Sequence, residues 1–448
     1  MNNMDTPICD FVSDYKNKNI LRLHMPGHKG ENILGFEKLD ITEIKGADSL
    51  YEVDGIIAES EKNVSLLFGC DTYYSTEGSS QCIRAMIYLI NLYAKSKGEP
   101  CRILAARNVH KTFLSGAALL DADVSWWYAS KGSGYLSASI PPDELGEYIR
   151  NADHKPTALY ITSPDYLGKT ADLKAISEVC HKYGVLLAVD NAHGAYLRFL
   201  HESRFPTDLG ADICCSSAHK TLPVVTGGAY LHLSSALPPL FKENAKKALS
   251  LFGSTSPSYL ILQSLDKANE YIATSYKSDL VSFIGRVRNL KETLVNHGYN
   301  LYGDEELKIT IAAKSYGYKG TELAELLREK NIEIEFADPD FAVMMLTPSL
   351  SQNHLTLLES ALRSIEKKPA ISEEMPKISY HKKALSLREA LLTLSETVPV
   401  EKSAGRILAE ASVGCPPAVP IVMCGEIIKD SDIEVFRYYG IEYCNVVK

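Results

Sequence analysis

Between residues 64 and 233 the chain alternates short apolar runs with longer stretches whose apolar side chains recur every three or four positions. The short runs predict strands at 72–75, 102–106, 124–128, 158–162, 185–189, 212–216 and 228–233. Helical spacing predicts helices at 79–94, with Ile83, Met86, Ile87 and Ile90 on one face, and at 141–150 and 172–182. Strands alternating with helices read as an α/β domain built on a mainly parallel sheet. Residues 268–300 read as a long helix or helical pair. Beyond it, predicted strands at 307–312, 332–336 and 342–346 and helices at 320–330 and 351–367 suggest a smaller α+β domain. After a linker around Pro369 and Pro376 comes a helix at 387–394, and the tail from 398 to 448 reads as short strands and turns. The expected division is an arm at 1–50, a large domain at 51–270, a small domain at 271–368 and a C-terminal domain at 385–448.

Composition narrows the function classes. Of 448 residues, 45% are hydrophobic and 23% charged, a balance that suits globular domains and not a disordered chain. The net charge is −9 with no basic stripe, which argues against a nucleic-acid partner. No run approaches the ~18 uncharged apolar residues of a membrane-spanning helix. The start, Met1-Asn2-Asn3-Met4-Asp5-Thr6, lacks the basic and apolar segments of an export signal, so a cytoplasmic protein is expected. Ten scattered cysteines contain one adjacent pair, Cys214-Cys215, and no C-x-x-C; neither a disulfide framework nor a metal site is expected.

In parallel sheets ligands collect beyond the carboxyl ends of strands. The continuous apolar run Val185-Leu186-Leu187-Ala188-Val189 ends in Asp190-Asn191-Ala192-His193-Gly194. The run Ile213-Cys214-Cys215 ends in Ser216-Ser217-Ala218-His219-Lys220-Thr221. Read alone, the acid is most simply a cap or turn residue and the lysine a snorkelling surface group. Together they are the two groups that pyridoxal phosphate (PLP) needs, a Schiff-base lysine and a partner for the pyridine nitrogen. Gly78, Ser79 and Ser80 open the strongest helix and offer donors for a phosphate, although the string equally describes a well-capped helix. His110, after another strand, could stack on a cofactor ring or close a turn. A competing string, Ser163-Pro164-Asp165-Tyr166-Leu167-Gly168-Lys169-Thr170, has P-loop spacing but lacks the first glycine, and Pro164 removes a backbone donor.

His24-Met25-Pro26-Gly27-His28-Lys29-Gly30, Asp190-Asn191-Ala192-His193-Gly194 and Ser217-Ala218-His219-Lys220-Thr221-Leu222-Pro223 resemble the Orn/Lys/Arg decarboxylase family. In the tail, Gly405-Arg406-Ile407 and Cys424-Gly425-Glu426 resemble its C-terminal domain. The resemblance implies the fold type I architecture of PLP enzymes, in a short form without the N-terminal receiver-like wing. It implies that Lys220 forms the internal aldimine, Asp190 binds the pyridine nitrogen and His110 stacks on the ring. His193 would lie near the ring hydroxyl or the substrate carboxylate, and Ser79, Ser80, Ser217 and His219 would hold the phosphate. It further implies a homodimer with shared active sites, Thr255 or Ser256 reaching the partner's phosphate, and decarboxylation of lysine, arginine or ornithine. The HMPGHK loop either packs beside the site or ties the N-terminal arm down. Asn191, Tyr196, Glu77 and the Pro416-Pro417-Ala418-Val419-Pro420 stretch depart from common family patterns, which weakens any transfer of substrate identity. Two other functions fit the same residues, an aminotransferase or a Cβ/Cγ lyase, and a PLP-binding protein without catalysis.

Overall fold

The computed structural model describes residues 4–128, 135–377, 379–411 and 420–448. Met1-Asn2-Asn3 and the Pro416-Pro417-Ala418-Val419 stretch lie outside them. The first half runs α1 (Pro7–Asn17), α2 (Ile56–Phe68), β1 (Asp71–Ser75), α3 (Gly78–Ser96), β2 (Arg102–Ala106), α4 (Lys111–Leu119), β3 (Asp123–Trp127) and α5 (Pro142–Asn151). It continues through β4 (Ala158–Thr162), α6 (Leu173–Lys182), β5 (Leu186–Asp190), β6 (Ile213–Ser216), α7 (Ala218–Thr221) and β7 (Ala229–Leu233). Next come α8 (Pro239–Ser250), α9 (Tyr259–Tyr271), α10 (Lys277–His297), β8 (Leu301–Tyr302), β9 (Lys308–Ala312) and α11 (Gly320–Arg328). The chain closes with β10 (Phe336–Ala337), β11 (Phe341–Met345), α12 (Gln352–Arg363), α13 (Leu387–Leu391), β12 (Ser395–Pro399), α14 (Asp430–Tyr438) and β13 (Tyr443–Val447).

The chain forms two compact units. The first comprises residues up to 97 together with 186–280. Its strands run in the order β1-β7-β6-β5. β5 and β6 are parallel, whereas β7 runs antiparallel to both β6 and β1. Every residue of β5, β6 and β7 is buried, which is why 186–189 and 213–215 read as unbroken apolar runs. The predicted apolar stripe of α3 is buried, Ile83, Met86, Ile87 and Ile90 included. α9 passes through a π-helical turn at Ile272–Tyr276 into α10, so the predicted helical pair is two helices joined without a loop.

The second unit comprises residues 98–185 and 281–448. It holds the parallel strands β4-β2-β3, an antiparallel sheet β10-β11-β9-β8 and the two-stranded β12-β13. β12, β13 and α14 surround a core of their own that includes Val400, Leu408, Val422, Phe436 and Val446. Two expectations are corrected here. The strand predicted at 332–336 shrinks to Phe336–Ala337, because the chain is still leaving α11 at Ile332, whose N–H donates to the Leu327 carbonyl at 3.0 Å after Asn331 at φ +59°; the Glu335 N–H then reaches the Val343 carbonyl of β11 at 3.1 Å. The tail contains a helix, α14, where only strands and turns were expected. Ile433 and Phe436 bury one face of it, and Asp432 accepts the Lys429 N–H at its start. No helix among the described residues is long and apolar enough to cross a membrane.

A buried histidine gives the first unit a pH signature. His232 on β7 packs against Phe68, Phe205 and Tyr230, and its Nδ1 lies 3.0 Å from Thr72 Oγ1. Burial pushes its pKa down to about 3. The unfolded chain therefore takes up a proton below the ordinary histidine value while the folded one does not. Stability present above about pH 6.5 is lost as pH falls toward 3, by about 2 kcal/mol between pH 7 and pH 5. Asp266 and Asp338, raised to about 6 by burial, act in the opposite direction. Comparing urea unfolding of the parent and His232→Phe at pH 7 and pH 5 isolates the histidine. The pH-dependent loss should be about 2 kcal/mol smaller in the variant.

Candidate active site

Register sets the geometry. β5 and β6 run in the same direction, and Asp190 pairs with Cys215, so both strands end at one edge of the sheet. Asp190, 2% exposed, closes β5. Its Oδ1 accepts from the Ala192 N–H at 3.1 Å and from the Cys215 thiol at 3.7 Å. Burial, followed by the nearby Asp190 charge, holds the Cys215 pKa well above its ordinary value, so this thiol keeps its proton and acts as a donor. On the other side, Cys82 is pushed up to about 12, chiefly by burial. The acid thus has a backbone N–H and a neutral thiol as its donors in a low-dielectric setting, where a fixed carboxylate acts strongly on a nearby positive charge. Asn191 is fully buried; its Nδ2 donates to Ser216 Oγ at 3.0 Å and fixes the turn that follows.

Beyond β6 the chain enters α7, which presents Ser217, His219 and Lys220. Lys220 is half-buried, and its Nζ lies 2.8 Å from Nε2 of His193, itself 4% exposed. Ser217 Oγ donates to Ser79 Oγ at 2.9 Å, joining the end of β6 to the first turn of α3. The His219 ring lies with Nδ1 2.9 Å from the Gly228 carbonyl oxygen, so the proton sits on Nδ1.

The start of α3 fits a phosphate. Gly78 adopts φ +68° and its N–H donates to the Gly227 carbonyl at 2.7 Å. No atom lies within 4 Å of where a Cβ would stand, so the hollow above this helix N-terminus is open. Ser79 and Ser80 follow it on the helix. Behind the turn, Gln81 is fully buried; its Oε1 accepts from Ser75 Oγ at 2.5 Å and its Nε2 donates to Tyr51 Oη and the Leu249 carbonyl. The residues present therefore fit the PLP expected from sequence, with an acid for the ring nitrogen, an amine for the aldehyde and donors for the phosphate.

Three further residues, Thr255, Ser256 and His110, are expected at the site from sequence. Thr255 and Ser256 stand exposed in the turn between α8 and α9. His110 belongs to the second unit, where it caps α4. Its Nδ1 accepts from the Thr112 N–H at 3.2 Å and lies 2.9 Å from Thr112 Oγ1. The HMPGHK loop is closed by its own contacts, His24 with Tyr15 Oη at 2.6 Å and His28 with Asp40 at 3.0 Å. The P-loop alternative fails on geometry. Asp165 Oδ1 accepts from the Leu167 and Lys169 N–H groups, both at 2.9 Å, so the loop folds around its own carboxylate where a phosphate would sit. Sequence reading missed Cys215 and Gln81. Gln81 had a signal, a polar residue set in the apolar stripe of α3; Cys215 inside an apolar run had none.

Comparisons with known proteins place the chain in a family. The chain matches the Orn/Lys/Arg decarboxylase major domain over residues 6–312 and the Orn/Lys/Arg decarboxylase C-terminal domain over residues 368–442. It is 30% identical to an arginine decarboxylase of Bacillus subtilis, over 97% of this chain and 93% of that one. Lysine decarboxylase from Francisella novicida superposes with a TM-score of 0.79 at 17% identity, over 100% of this chain and 82% of that one. Lysine decarboxylase A from Pseudomonas aeruginosa gives 0.80 at 16% identity, over 99% and 80%. The expected fold type I architecture is thereby met. The chain belongs to the Orn/Lys/Arg decarboxylase family of PLP-dependent enzymes.

Proposed function

We propose that the protein removes the α-carboxylate of arginine, lysine or ornithine as CO2, with arginine the first substrate to test given the arginine decarboxylase relatives. The observation that supports this most is Asp190 and Lys220 following two parallel strands that end at the same edge, with the Ser79–Ser217 hydroxyl pair beside them. Bound there, PLP supplies the sink for the electron pair left at Cα when CO2 departs. Lys220 would hold the cofactor covalently and give way to the substrate amine. Asp190, fixed by Ala192 and Cys215, would keep a proton on the ring nitrogen. His193 Nε2 would take a proton from Lys220 Nζ, leaving a neutral amine, and the same pair would return a proton to Cα. Ser79, Ser80, Ser217 and His219 would bind the phosphate, and His110 the ring face. Orientation then decides which bond at Cα breaks.

The same reading makes the working enzyme a cytoplasmic homodimer in which Thr255 or Ser256 reaches the partner's phosphate; the exposure of both residues on a single chain is consistent with this. The nine described cysteines are all free thiols, as a reducing compartment requires.

Four measurements test the proposal. Lys220→Ala should lose turnover and the visible absorption of lysine-bound cofactor while keeping its melting temperature; retention of either would remove the assignment. Asp190→Ala should lower kcat roughly 10²–10³-fold, as expected for loss of a preorganised charge. A panel of amino acids assayed for CO2 and for keto acid separates decarboxylation from transamination, and keto acid as the main product would reject the proposed reaction. The double variant Thr255→Ala, Ser256→Ala should weaken PLP binding roughly tenfold or more, the scale of a lost hydrogen bond to a charged group. An unchanged PLP affinity in titration would exclude the cross-subunit role.

A further inference from the structure

α4 carries His110 at its N-terminus and is gripped at both ends by the C-terminal segment. Arg107 stands directly after β2, three positions before His110, and is 3% exposed. A guanidinium so deeply buried needs matched partners. Glu426 provides them with both oxygens, Oε1 at 2.9 Å from Nη1 and Oε2 at 3.2 Å from Nη2. Tyr128 Oη accepts from Nη1 at 2.6 Å and donates to Glu426 Oε1 at 3.1 Å, and the Ile421 carbonyl takes a further bond from Nη2. A bidentate pair of this kind fixes orientation as well as distance.

Glu426 is itself held rigidly. Its Oε2 accepts the Met423 N–H at 2.8 Å, its carbonyl accepts the Leu408 N–H, and its backbone bridges to Lys383. Gly425 before it adopts φ +87°, and a Cβ there would lie 2.4 Å from the Leu385 carbonyl oxygen, so only glycine brings the acid into place. At the far end of α4, Arg388 of α13 donates to the Leu119 carbonyl at 3.0 Å and to Ala118 at 3.4 Å. A cation at this end also suits the helix dipole.

We propose that the C-terminal segment holds α4, and with it His110, in working position, and that Glu426 and Arg388 are the positioning residues through which it does so. This assigns a task to the Cys424-Gly425-Glu426 motif and to the C-terminal domain of the chain. It rests on the reading of His110 as the residue that faces the cofactor ring.

The test uses PLP-loaded full-length protein with Glu426→Gln, Arg388→Ala, His110→Ala and the two combinations with His110→Ala. Glu426→Gln should keep its cofactor yet lose half or more of the induced circular dichroism of the cofactor band. Its kcat should fall roughly 10- to 100-fold, as for a reacting group displaced by about 1 Å, with KM shifted less than about threefold. Arg388→Ala, an exposed residue whose loss the fold tolerates, should lower kcat about two- to fivefold, the scale of a lost helix-end cation. In the His110→Ala background either change should add less than about twofold, as expected for residues acting through one group. An undiminished further loss in that background overturns the proposal, as does unchanged kcat and dichroism in both single variants. If Glu426→Gln does not fold, Arg388→Ala decides alone. If His110→Ala changes neither kcat nor dichroism, the His110 assignment fails, and hydrogen exchange across residues 107–119 still reads the anchor. Faster exchange in Glu426→Gln or Arg388→Ala sustains the anchor, and unchanged exchange in both removes it.

Discussion

The structure depends on two buried parallel strands that stop level with one another. β5 and β6 have no polar residue before their ends, so nothing but their register decides where Asp190 and the α7 turn stand. A slip of one residue would turn every side chain of a strand to the opposite face. Burial on both faces forbids that slip, because it would carry the Asp190 carboxylate into apolar packing and away from the Cys215 thiol on the neighbouring strand. The chemistry at the sheet edge is therefore positioned by the hydrophobic effect acting several residues away from it.

Around this edge the protein uses neutral donors where charges would interfere. The thiols of Cys82 and Cys215 stay protonated because burial raises their pKa, and each leaves the negative charge of Asp190 intact. Charge-to-charge pairing is kept for a different purpose. The Arg107–Glu426 pair is fully buried and bidentate, and such a pair contributes less to net stability than to a unique arrangement, since an unmatched partner is costly to desolvate. The two strategies divide the work between electrostatic environment and mechanical placement.

Most of this was legible along the chain because apolar runs and acid or lysine stops are local signals. β2 and β4 match their predicted bounds, and Asp190 and Lys220 stand where strand-end reasoning puts them. The tail was harder. α14 is short, and its buried face becomes evident only against Val400, Leu408 and Val446, which are distant in sequence. The strand ahead of Phe336 alternates correctly, but its first residue is still tied to α11 through the Ile332 N–H and the Leu327 carbonyl, a backbone bond that no periodicity encodes. Glu426 could be read as part of a motif, yet its partner lies more than three hundred positions earlier, and pairings of that kind are invisible to any window. Cys215 was hidden by its own chemistry, since a cysteine in an apolar strand reads as packing.

The first unit is assembled from two stretches of chain separated in sequence by residues 98–185, which belong to the second unit. The Ser79–Ser217 bond joins one stretch to the other. A nascent chain therefore presents the α3 segment before Gly227, whose carbonyl holds the Gly78 N–H, and Ser217 have been made. Contacts of such long sequence separation close late and slowly. Until the second stretch emerges, the hydrophobic stripe of α3 has no β6 or β7 to cover it, and vitamin capture has to wait for nearly two thirds of the polypeptide to be synthesised.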